Sequence, residues 1–237
     1  MSIVVKGNVD AFFKKEYSIA WQPISQLSKS NHGSFFIDSS TCGWNFDAIT
    51  TSLFKKNTPA SVDGAFVVGK WIYFVEIKSG YKNLVSEKNI DMEKLRCPYK
   101  ENQPCEKNAQ LLVDENKWLC KVLKTNIQLK AAESYRTLEK KIVPSIKDTE
   151  SERRYCTCFI AVIDQEDPSK DSVNDEFEAI QRDLAQSASS EENYVADMYN
   201  ALRRYAKPEL WYDESTAMSA SVFKEFADEG FKRPFLR

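Results

Sequence analysis

The sequence predicts an α/β fold with a central mixed sheet flanked by helices, and three observations predict it. Residues 61–80, SVDGAFVVGKWIYFVEIKSG, are dense in Val, Ile, Phe, Tyr and Trp on either side of a Gly-Lys pair, as a β-hairpin would be. Residues 153–164, RRYCTCFIAVID, form a continuous apolar run of the kind carried by a strand buried on both faces. Between them, about 108–142 reads as a long helix or helix pair that ends at Pro144.

The elements follow in order. Residues 8–20, NVDAFFKKEYSIA, read as a short helix, and SFFID at 34–38 as a short strand. SSTCGWNFDAITTSLFKK then offers Ser and Thr caps before a helix in which Phe46, Ile49 and Leu53 recur at helical spacing. Strands at 62–68 and 71–78 come next, joined by Gly69-Lys70, with Gly in the first central position of a type II′ turn. A polar, lysine-rich connection covers 79–106. Residues 164–197 carry eleven acids against Lys170 and Arg182 alone, a solvated stretch turned away from any polyanion. Residues 173–205 read as helical, and FKEFADEGFKRPFLR as one more short helix, with Trp211, Tyr212 and Phe223 packing the tail on the core. One domain is expected over 1–237, with its core at about 40–165 and a helical elaboration at about 166–237.

The hairpin carries the chemistry. With a two-residue loop, Val68 faces Trp71 and paired positions sum to 139, so Asp63 falls opposite Glu76 on one face of the sheet. Lys78 lies two residues beyond Glu76 and shares that face. Two like charges directly opposite are destabilising, and a hard divalent cation makes them favourable. An adjacent lysine suits an attacking water or the charge on a phosphorus centre. Without metal, the pair is expected to repel, to raise at least one carboxyl pKa, and to stabilise the protein when either acid is neutralised.

Asp63, then twelve residues, then Glu76-Ile77-Lys78, resembles the core motif of the PD-(D/E)xK nuclease superfamily, the restriction-endonuclease-like fold. The motif-level likeness is confined to the hairpin, and Val62 stands where the pattern has Pro. A helix, the hairpin, a helix and a buried strand are similar to its αβββαβ order. The resemblance implies that Asp63 and Glu76 hold Mg²⁺ (or Mn²⁺) and that Lys78 serves the water. It implies that an acid before the hairpin completes the metal site, Asp47 first and Glu16 second. A polar residue on the following helix, Gln128, takes a further catalytic place. Lys117, Lys121 and Lys124 lie on adjoining helical turns and would either touch phosphates or form a solvated face. The implied activity is metal-dependent hydrolysis of nucleic acid, DNA by an endonuclease foremost. The alternative is an inactive nuclease-fold subunit for nucleic-acid binding or complex assembly.

Composition narrows the classes. The formal net charge of −2 gives no basic footprint, so a homodimer or partner subunit is the expected source of positive charge for nucleic acid. His32 is the single histidine, which disfavours His-dependent nucleases, two-His zinc sites and Ser-His-Asp hydrolases. No GxxxxGK or GxGxxG occurs. Six scattered cysteines read as reduced thiols, and CPYKENQPC lacks zinc-site spacing. No signal-peptide pattern and no membrane-length apolar run appear, so a cytoplasmic protein is expected. Asp38, at the end of FFIDSST, is the rival first acid of an RNase-H-like site and equally a helix cap.

Overall fold

A computed structural model of the chain describes residues 2–29, 35–79, 106–147, 152–163, 194–203 and 211–232. Its strands are β1 (Ile3–Lys6), β2 (Trp21–Pro23), β3 (Cys42–Asn45), β4 (Gly64–Val68), β5 (Trp71–Lys78), β6 (Glu152–Ile163) and β7 (Glu214–Ser219). The helices are α1 (Val9–Glu16), α2 (Ile24–Leu27), α3 (Phe46–Leu53), α4 (Glu106–Thr137), α5 (Val143–Ser145), α6 (Tyr194–Arg203) and α7 (Ala220–Asp228). The seven strands make one mixed, open sheet in the order β1-β6-β5-β4-β3-β2. The long β6 is shared. Its start pairs antiparallel with β1 and its end pairs parallel with β7, while β5 runs parallel along its other edge.

Alternation along the strands sends side chains to two apolar layers. Ile72 and Phe74 of β5 face one layer with Phe46 of α3 and Ile127, Ala131 and Tyr135 of α4. Tyr73 and Val75 face the other, with Phe223 and Phe226 of α7. β6 contributes Phe159 and Ala161 to the first layer and Cys158 and Ile160 to the second, buried on both sides as its apolar run requires. Tyr212 locks α4 onto the sheet. It is buried, donates to the Ala131 carbonyl at 2.7 Å, and meets Phe74 edge-on at 5.9 Å.

Several expected elements sit elsewhere. The stretch expected as a strand at 34–38 makes only an isolated bridge between Phe35 and Lys29. Its neighbour CGWN forms β3 instead, pairing Trp44 with Ala65, so the cap of α3 passes from the Ser and Thr residues to Asn45. The Asn45 side chain accepts the Ala48 N–H at 2.8 Å. The helix expected over 8–20 is α1 followed by a 3₁₀ turn at Ser18–Ala20. α4 passes through a wider π turn, Leu138–Ile142, before Pro144, whose ring and missing N–H disfavour a regular α turn there. The connection at 80–105 and the acidic segment at 164–193 lie outside the described residues, as do His32, Cys97 and Cys105. Cys42, Cys156 and Cys158 are free thiols. Among the described residues no helix is long and apolar enough to cross a membrane.

Candidate active site

The hairpin adopts the expected register. Val68 pairs with Trp71 and Gly64 with Val75, and Gly69 takes φ 59°, the positive value that the first central position of a type II′ turn needs. The ladder stops at Gly64, and Asp63 continues it by its side chain: Oδ2 accepts the Ile77 N–H at 2.6 Å. Glu76 and Lys78 follow Ile72 and Phe74 on the face covered by α4. Glu76 is fully buried, while the side chains of Lys78 and Lys130 are 32% and 25% exposed.

Four charges meet here. Lys78 Nζ lies 2.8 Å from Glu76 Oε1. Lys130 Nζ, from α4, lies 2.9 Å from Oε1, donates to Oε2 at 3.0 Å, and stands 3.8 Å from Asp63 Oδ1. Glu76 Oε1 thus has two ammonium groups at ion-pair distance yet no aligned hydrogen bond.

Two helices hold the approach to Asp63. The Ser134 hydroxyl of α4 accepts the Val62 N–H at 3.0 Å, and the Glu133 carboxylate accepts that of Ala60. From α3, the Phe46 N–H donates to the Asp63 carbonyl at 3.2 Å, and the Asp47 carboxylate accepts the Ser61 hydroxyl at 2.5 Å. The first three of these bonds occupy backbone groups that a buried irregular segment would otherwise leave unpaired.

The electrostatics divide the two acids. Burial, then the Glu76 charge, push the Asp63 carboxyl up to about 7 against the opposing pull of Lys130, the Ile77 N–H and Lys78. Burial pulls the Lys130 ammonium down, but Glu76, Asp63 and Asp47 together outweigh it and raise its pKa. The expectation that neutralising either acid relieves repulsion therefore needs correcting. Glu76 has two lysines against one acid, so its charge is wanted; Asp63 carries the excess.

Asp63, Glu76 and Lys78 are thus brought together. Asp47 is exposed at the start of α3 and bonded to Ser61, while its charge still reaches Lys130. Gln128 turns its amide to the Ala201 carbonyl of α6 at 3.3 Å; Lys130, two residues on, is what reaches the carboxylates. Glu16 ends α1 and pairs with Lys15 at 3.5 Å. Lys117 and Lys121 are exposed and Lys124 is half-buried. Asp38 is exposed and outside any strand.

Lys130 had a signal in the sequence. Ile127, Lys130, Ala131 and Ser134 fall at helical spacing, which puts a lysine on the stripe that buries Ile127.

Among the described residues, no three or more His, Cys, Asp or Glu side chains gather closely enough to hold a metal ion. Asp63 and Glu76 nevertheless share one cation, the Lys130 ammonium, and two carboxylates are the donor set that Mg²⁺ takes alongside waters and substrate oxygens. No family model matches the chain, and no curated protein or solved structure matches it.

Proposed function

We propose that the chain is a Mg²⁺-dependent phosphodiesterase acting on nucleic acid, foremost a DNA endonuclease, built on a restriction-endonuclease-like core. The observation that carries this reading is the fully buried Glu76 beside Asp63 and Lys78 at the open end of a hairpin in the expected register. Surface ion pairs need no such burial, and a buried acid beside a raised one is the pattern of functional sites. The succession β3, β4, β5, α4, β6, three antiparallel-linked strands and then a parallel one, supports the αβββαβ core.

Asp63 and Glu76 would hold the ion, with Asp47 near enough for its charge to be felt by Lys130. An ion held there would supply Lewis acidity toward a phosphoryl oxygen and an attacking water. Asp63 is oriented by the Ile77 N–H and by the bonds from Ser134 and Phe46 on the chain around it. Lys78, partly exposed beside Glu76, orients a water and offers positive charge to the scissile phosphate. Burial of Glu76 keeps bulk water from competing for its oxygens.

A second reading, a nuclease-fold subunit that binds nucleic acid or assembles a complex without cutting, is favoured by one observation. Lys78 and Lys130 already offset the charge of Glu76, a closed arrangement that needs no ion there. Incubation with plasmid, linear duplex and single-stranded DNA or RNA, in Mg²⁺, Mn²⁺ or EDTA, separates the two. Metal-dependent scission supports the nuclease; retention without scission supports the subunit.

A further inference from the structure

Resting on the metal-dependent reading, we infer that Lys130 is the resident counter-cation of the metal-free site, and that a divalent ion must displace it in order to bind.

Lys130 Nζ lies 2.9 Å and 3.0 Å from the two Glu76 oxygens and 3.8 Å from Asp63 Oδ1. Among the described residues, the cation that lies within ion-pair distance of both acids is this ammonium. A divalent ion held by those oxygens would need the lone pairs that the ammonium now faces. An ammonium still in contact with the same oxygens would crowd and repel it, because both cations need the same lone pairs.

The two lysines are not equivalent. Lys78 shares a strand with Glu76 and lies at ion-pair distance from its Oε1. Lys130 comes from α4, touches both acids, and takes the one hydrogen bond from the cluster to Glu76. Its side chain is 25% exposed and its four-carbon stem flexible, so its head has a route to water that needs no movement of the helix. The same ammonium explains why two acids with a buried member are tolerated before metal arrives. Metal affinity is then the difference between two occupants of one place, lowered by the lysine that must leave.

Two measurements test this. Mn²⁺ binding by calorimetry and by electron paramagnetic resonance is compared in the parent, Lys130→Met and Lys130→Gln, the last keeping a hydrogen-bond donor for Glu76. Both variants are expected to bind Mn²⁺ tighter, by at least about fivefold, the low end of ordinary coupling between two ligands. In the unaltered protein, brief labelling with an amine-reactive ester, read by mass spectrometry, is expected to modify Lys130 faster once Mn²⁺ is added. Should the variants not fold, that labelling decides alone. Unchanged labelling, or folded variants that bind Mn²⁺ no tighter than the parent, overturns the inference and leaves the nuclease reading standing. Failure of every form to bind Mn²⁺ overturns both.

Discussion

Asp63 Oδ2 accepts the N–H of Ile77 at 2.6 Å, so the carboxylate is tied to the residue that follows Glu76. A side chain thereby extends the hairpin one step past its last backbone pair, Gly64 with Val75. The bond fixes one Asp63 oxygen and leaves Oδ1 turned toward Lys130. It also couples the two acids mechanically: β4 cannot slip without moving both.

Catalysis should depend on Glu76 and Lys78 separately from folding. Glu76→Ala and Lys78→Ala are each expected to lower metal-dependent cleavage to background while circular dichroism keeps the parent's shape. Cleavage at the parent's rate in both would remove the site assignment.

Neutralising the two acids should have opposite effects on the metal-free protein. Asp63→Asn keeps an acceptor for Ile77 and removes the excess charge, so it is expected to stabilise by about 0.5–2 kcal/mol. Glu76→Gln leaves two lysines facing a buried neutral amide and is expected to cost about 1–3 kcal/mol. Denaturant unfolding in EDTA measures both. The same sign for both would refute the division of charge drawn here.

The raised Asp63 carboxyl makes a pH prediction whose sign is fixed. It titrates at about 7 in the folded protein against 3.8 for the unperturbed acid. Below the lower value both states hold the proton and the contribution of Asp63 is fully present. As pH rises toward the upper value the unfolded chain loses its proton first, so that stability is lost, by a few kcal/mol on the order of magnitude. In EDTA, the stability of the parent relative to Asp63→Asn should fall from pH 4 to pH 8. A flat difference would mean that Asp63 is not raised.

Ser134→Ala tests the support beneath the site. It strands the buried Val62 N–H and is expected to cost about 1–3 kcal/mol. Cleavage should fall further than stability explains at temperatures where the variant stays folded, because Asp63 loses the tether beside it. Parent-like cleavage would show that the remaining bonds suffice.

The hairpin was legible because a two-residue turn and a period of two leave its register little freedom, and Asp63, Glu76 and Lys78 followed from it. β6 was legible because burial on both faces writes an apolar run. β1 left a weaker trace: Ile3 and Val5 are buried and Val4 and Lys6 exposed, an alternation only four residues long. β7, ESTAMS, gave no run at all: its small and polar residues join the sheet through backbone pairing with β6. Lys130 was missed for a different reason. A lysine on a long helix usually marks the solvated face, and only a carboxylate from a distant strand makes the buried face its place.

β5 pairs with β4 through two residues of turn, but with β6 only across the whole intervening chain. Local pairing of this kind closes in about 1–10 μs, whereas parallel partners far apart in sequence meet late. The hairpin thus sets β5 as far as Val75 while the Glu76 side chain is still in water, with Lys78 two residues on along the same strand. Docking of α4 then removes the water and delivers the second ammonium in one event. The carboxylate is never dry and alone. Folding kinetics give this order a test: Val67→Ala in the hairpin should slow refolding, and Lys130→Met should chiefly speed unfolding.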